Sequence, residues 1–127
     1  MGRRLRSTPP GQQSAVMDIA TRRTSKAAIV DLTGPLRLGD SSQAFRNTLE
    51  GLKAEGVKNL VVNLSCVSDV DSSGIGVMVR AHTMMLQLGG KCKFFAPSKR
   101  VLQVLKMVRL ETVLELFEDE TTALVGL

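Results

Sequence analysis

The 127 residues contain no tryptophan and no tyrosine, and only four phenylalanines. Aromatic stacking platforms are therefore lacking, which disfavours binding of single-stranded nucleic acid by the folded part. There is one histidine, His82, and there are two cysteines, Cys66 and Cys92. That set has no metal-ligand spacing, so a zinc site is not expected. Both cysteines read as buried small hydrophobes in a reducing compartment. No segment approaches the roughly 18 consecutive apolar residues of a membrane helix. The basic start, Met1 to Gln13, has no apolar stretch after it and so does not read as a secretory signal. A cytoplasmic protein without a membrane span is expected.

What is present suits one compact domain, since 43% of the residues are hydrophobic. The formal net charge is +5, but it is unevenly spread. Arg3, Arg4, Arg6, Arg22 and Arg23 face only Asp18 within residues 1–23, which leaves the remainder close to neutral. Direct DNA binding by the domain is not expected. Residues 1–14 are rich in Arg, Pro, Ser, Gln and Gly and read as a disordered basic tail. Residues 15–127 read as the folded domain.

Periodicity gives the element order. Met17, Ile19 and Thr21 alternate as a half-buried strand does, and Ala28 to Leu32 forms its hairpin partner. Gly34-Pro35 breaks the pattern. Asp40 then serves as N-cap with Gln43 three residues on, and Phe45, Leu49 and Leu52 share a helical face that ends at Gly56. Val57 to Leu64 is almost continuously apolar at its centre, as a strand buried on both faces is. Ser65 to Asp71 reads as a connection. From Ser73, the residues Ile75, Met78, Val79, His82, Met85 and Leu86 recur at helical spacing until Gly89-Gly90. Cys92 to Phe95 is a strand, Ser98 caps a third helix with Val101, Leu102, Leu105 and Val108 inward, and Val113 to Phe117 is a last strand. Glu118, Asp119 and Glu120 open a C-terminal helix, where acids favour the dipole. The fold class is α/β: a mixed sheet of four to five strands with about four helices packed against it.

The stretch that asks for a function is Val70-Asp71-Ser72-Ser73-Gly74-Ile75-Gly76. A hydrolase elbow needs Gly-x-Ser-x-Gly, and neither serine has it. His82 lies roughly 15 Å along the helix, beyond reach of a triad serine, and reads as a core residue. Gly74-x-Gly76 falls short of a nucleotide fingerprint and reads as close helix–strand packing. A cap from Asp71 or Ser72 is worth about 1 kcal/mol, but it leaves the small residues after it unexplained. Those residues keep the surface open to something outside. A phosphorylated serine at this helix start would add roughly −1.5 to −2 charge. With Asp69 and Asp71 adjacent and no basic residue within three positions, the phosphate would face outward and block docking by charge and bulk.

The run from Asn63 to Phe95, with Asp-Ser-Ser-Gly at its centre and Gly-Gly at its helix end, resembles the central segment of STAS-domain anti-sigma factor antagonists. The segments "DLTGPL" and "LKMVRLETVLELFEDETTAL" resemble further parts of that family, so the likeness covers roughly residues 15–127. The resemblance implies a non-catalytic protein, without cofactor, whose Ser72 is phosphorylated by a GHKL-type serine kinase that is also the anti-sigma factor. It implies that the unphosphorylated form binds the kinase and frees the sigma factor, and that a serine phosphatase resets the switch. The implied partner-binding residues are Asp71, Ser72, Ser73, Gly74, Ile75 and Gly76, with Pro35, Leu36 and Arg37 from the neighbouring turn. A monomer or weak homodimer is expected. The chain departs from the family at two places. Pro35 and Arg37 stand in a turn that often carries an acid, and Asp69 stands where an apolar residue is usual. The rival reading is a non-catalytic STAS scaffold in a signalling assembly or a transport system.

Overall fold

The computed structural model describes residues 17–127. The disordered tail expected over residues 1–14 lies outside the described residues. The element order is β1 (Asp18–Arg23), β2 (Ala28–Leu36), α1 (Asp40–Ala54), β3 (Asn59–Val70), α2 (Ser72–Gln87), β4 (Lys91–Phe95), α3 (Lys99–Met107), β5 (Glu115–Phe117) and α4 (Glu120–Leu124). The five strands lie in sequence order, with β1 antiparallel to β2 and the other pairs parallel. The mixed sheet and its four α-helices are the expected α/β architecture.

Each crossover from β2 to β5 steps the same way along the sheet. Right-handed crossovers then deliver α1, α2 and α3 to one face. That face holds the main core, where Phe45 and Leu49 of α1, Met78 and Met85 of α2 and Leu105 of α3 meet Leu60, Val62 and Leu64 of β3. The opposite face carries a small cluster of Ile29, Val61 and Phe95 under Ala123 of α4. Leu60 to Val62 are wholly buried from both sides, as their apolar run suggested.

Several boundaries differ from the sequence reading. Gly34 and Pro35 do not break β2, which continues to Leu36. Beyond Thr33, β1 no longer pairs with β2, and a register shift between Gly34 and Leu36 absorbs the missing amide of Pro35. Residues 65–70 are strand rather than connection, because β3 stays paired with β2 as far as Leu36–Val70. The other register shift, between Asp31 and Thr33, breaks the alternation. Past it Cys66 is exposed while Cys92 is buried, so only one cysteine is a core residue. Burial also pushes the Cys92 thiol far above its ordinary range.

The helices show further corrections. Asp40 does not cap α1: Gly39 holds that place, with no side-chain cap. The turn is closed instead by the Ser41 hydroxyl, which accepts from the Arg37 amide at 2.8 Å and donates to the Arg37 carbonyl at 2.9 Å. On α2 the buried face is Gly74, Val77, Met78, Ala81, Met84 and Met85, about one position from the face expected. Counting large apolar residues overlooked Gly74 and Ala81, whose small size permits close approach. Leu86 is consequently 52% exposed. His82 is half-buried, as expected of a core-edge residue, and its Nδ1 has no hydrogen-bond partner among the described residues. Val108 lies past the end of α3 and is half exposed, because Arg109 turns the chain into the left-handed region at φ 62°.

Candidate functional site

Three loops meet at the carboxyl end of the sheet's central strands: the β2–α1 turn, the β3–α2 turn and the start of α3. Open α/β sheets place their functional groups at this end. Asp71 is the hub. Its backbone is extended at the N-cap of α2. Its Oδ1 accepts from the amides of Ser73 and Gly74, each at 3.0 Å. Its Oδ2 accepts from the Leu38 amide at 2.9 Å, and its own amide donates to the Leu36 carbonyl at 3.2 Å. One carboxylate thus fixes a helix start and stitches it to the turn before α1. Burial alone would push its pKa up, but the amides of Leu38, Gly74 and Ser73, with the charge of Arg37, hold it below the usual carboxylate range.

Ser72 is the first residue of α2 and is exposed. No side-chain hydrogen bond engages its hydroxyl among the described residues, whereas both oxygens of the neighbouring carboxylate accept from backbone amides. Ser73 is half-buried and Gly74 is buried. A Cβ at Gly74 would stand 2.4 Å from the Leu36 carbonyl oxygen and 2.7 Å from Val70 Cγ2. Gly74 therefore serves the close seating of α2 on β2 and β3. Gly76, by contrast, is exposed, and a Cβ there would meet nothing within 4 Å. Ile75 is half-buried against the main core.

From the other turn, Pro35 is half-buried, Leu36 is wholly buried and Arg37 is exposed. Leu36 meets the site through its carbonyl and through a side chain that packs under Gly74 and belongs to the core. The structure brings all nine sequence-named residues to one corner, but only Ser72, Gly76 and Arg37 stand exposed there. Farther along α2, Met84 is buried in the core and takes no part in the corner.

Sequence reasoning missed Arg100 as a member of this corner, and it read Asp69 only as a charge near Ser72, without its two arginine partners. Leu38 is 79% exposed although its amide is bonded to Asp71. Asp69 accepts from Arg37 Nη2 at 2.6 Å and from Arg100 Nε at 3.1 Å. Arg37, the Val70 amide and Arg100 together hold the Asp69 carboxyl below its ordinary pKa, with burial opposing them. The basic groups near Ser72 come from other elements, so a local window of three positions could not find them. Both guanidiniums are already engaged by Asp69. Arg37 is thereby a member of an intramolecular tie, as well as a surface charge.

A sequence profile of the STAS domain matches residues 18–123. The chain belongs to the STAS domain family. Among solved structures, an anti-sigma factor antagonist from Mycobacterium paratuberculosis superposes with a TM-score of 0.74 at 15% identity, over 87% of this chain and 92% of that one. The Bacillus cell fate determinant SpoIIAA in its phosphorylated form gives a TM-score of 0.66 at 19% identity, over 84% and 96%. The murine anion transporter Slc26a9 gives 0.67 at 18% identity, over 82% of this chain and 18% of the transporter. At these identities the likenesses establish the STAS fold. Among the described residues, no helix is long and apolar enough to cross a membrane.

Proposed function

We propose that this STAS protein, its domain spanning residues 15–127, is a non-catalytic cytoplasmic anti-sigma factor antagonist switched by phosphorylation of Ser72. The observation that carries the reading is the exposed, unengaged Ser72 hydroxyl at the first position of α2, beside a carboxylate whose bonds are all spent on backbone amides. A partner can approach the hydroxyl without unfolding the turn. Asp71 acts as a positioning residue: it holds Ser72 outward and presents Leu38 beside it.

In this reading the unphosphorylated chain binds a GHKL-type serine kinase that is also the anti-sigma factor, and so frees the sigma factor. Ser72, Ser73, Gly76 and Arg37 supply the contact surface, with Leu38 as an apolar anchor. Gly74, Ile75, Pro35 and Leu36 shape it from beneath. The kinase transfers the γ-phosphoryl group of ATP to Ser72 Oγ, ADP leaves, and the hydroxyl proton passes to the kinase. The resulting dianion lies next to Asp71, while Arg37 and Arg100 are held by Asp69. Charge and bulk then oppose redocking. A serine phosphatase restores the hydroxyl.

The test is a pull-down from native lysate with wild type, Ser72→Ala and Ser72→Glu as baits. A GHKL-type kinase retained by the first two and lost by the third is the expected result. A second reading draws on the likeness to Slc26a9: a STAS scaffold subunit of a signalling assembly or a transport system. It requires no modification of Ser72, and all three baits would then retrieve the same partners. A size measurement also separates the two, since the antagonist is expected as a monomer or weak homodimer.

A further inference from the structure

We infer that the outer face of α3 is a second docking surface, and that its occupant is a short acidic, apolar segment of a partner protein. The inner side of α3 is ordinary: Val101 and Leu105 are wholly buried in the core. The outer side is not. Lys99, Leu102, Gln103, Lys106 and Met107 line a shallow hollow of about 600 Å³. Met107 is 75% exposed, and Val108 and Val113 beside the helix end are about half exposed. Exposed apolar side chains gathered beside cations fit an amphipathic occupant better than solvent.

The charges favour an acidic one. No aspartate or glutamate occurs from Lys91 to Leu110, and Glu111 is the single acid between there and Val113. Lys99, Lys106 and Arg109 form no ion pair among the described residues, unlike Arg100, which bonds Asp69 at 3.1 Å. Lys99 and Arg100 also occupy the first turn of α3, which contains no acid. The helix dipole disfavours cations there, and Lys99, unlike Arg100, has no ion pair among the described residues to offset that cost. Arg109 adds another cation in the left-handed region, which side chains other than glycine rarely adopt. These positions make sense together as complementarity to carboxylates.

A protein segment fits better than the alternatives. Nucleic acid would find no aromatic side chain on this face to stack on, since Phe45 and Phe94 are wholly buried. A membrane-surface helix relies on a longer stripe with Trp, Phe or several Leu, whereas α3 has nine residues, roughly 13 Å of helix. Through Arg100 and Asp69 the face is continuous with the corner that holds Ser72. The inference nonetheless stands apart from the switch, because binding here does not need Ser72.

The test uses the full chain and defined probes. A synthetic amphipathic peptide with Leu on one side and Glu flanking it is titrated into isotopically labelled protein, and backbone amide shifts are followed. Three controls accompany it: the same peptide with Glu replaced by Lys, one with Leu replaced by Ala, and anionic phospholipid vesicles. The expected result is shifts confined to residues 99–113 for the Leu/Glu peptide, weakened at least about tenfold by Lys99→Glu with Lys106→Glu. Met107→Ser, at an exposed position outside the core, is expected to weaken it severalfold, and Ser72→Glu to leave it unchanged. The inference is overturned if the Ala/Glu peptide binds as well, if shifts map elsewhere, if vesicles displace the peptide, or if nothing binds. Loss of binding in Ser72→Glu would instead tie this face to the switch and contradict its independence. Failure of the switch reading is seen separately, as kinase binding that Ser72→Glu leaves intact.

Discussion

The starts of α2 and α3 follow parallel strands and open at the same end of the sheet, yet they are built for different tasks. Asp71 caps α2 by accepting from the amides of Ser73 and Gly74. Ser98 caps α3 by accepting from the Val101 amide. After the cap, α2 continues with small uncharged residues, and α3 with Lys99 and Arg100. The first arrangement is fixed by backbone bonds and leaves a hydroxyl uncovered. The second places cations where the helix dipole opposes them. Position in the fold supplies a common location, and the side chains alone decide whether that location is an accessible hydroxyl or a charged edge.

The two helix starts differ most at Gly74, which has no counterpart in α3. Gly74→Ala puts a methyl against Leu36 and Val70 and is expected to cost about 1–3 kcal/mol by overpacking. Urea unfolding measures it. Gly76→Ala, two residues on and with no neighbour in reach, is expected to have the opposite sign, a gain of up to about 1 kcal/mol. Equal effects at the two glycines would show that α2 does not seat closely at its start.

Next in size is Asp71. Asp71→Ala removes the cap and strands the Leu38 amide, with an expected loss of about 1–2 kcal/mol. The same residue predicts a pH dependence. Its folded pKa lies below the usual range, so its contribution is complete above the unfolded value of about 3.9. It is lost as pH falls through the folded value. Asp71→Asn is therefore expected to flatten the acid limb of a stability profile while leaving the limb above pH ~6 unchanged in shape.

The smallest effect sharpens the contrast at α3. Lys99→Glu replaces a cation with an anion in the first turn and is expected to raise stability by about 0.3–1 kcal/mol, while weakening binding to the outer face of α3. Cutting the Arg37–Asp69 bond with Arg37→Ala is expected to cost less than about 1 kcal/mol, as exposed ion pairs do. Thermal unfolding reads both.

Much of this molecule could be read from its residues, for reasons that are local. Alternation showed the β1–β2 hairpin, the apolar run showed the buried centre of β3, and Ser98 and Asp71 announced their helices by cap chemistry. The Asp-Ser-Ser-Gly turn declared a helix start with an exposed serine. What could not be read depends on register and on distant partners. The two register shifts between β2 and β3 carried both strands past Gly34-Pro35 and Ser65 and turned Cys66 outward. Gly74 and Ala81 count for nothing in an apolar tally, yet they set the face that α2 buries. Asp69 finds Arg37 and Arg100 more than thirty residues away in each direction, so the tie is visible only once the chain is folded.

The most direct test of the switch is calorimetric titration of the purified GHKL-type kinase with three forms of the chain: wild type, Ser72→Ala, and the chain carrying phosphoserine at position 72. The account predicts like affinities for the first two and a loss of about 100-fold or more for the third, the scale of a like charge forced into an interface. Equal affinity for all three would contradict it and leave Ser72 as nothing more than the first residue of a helix.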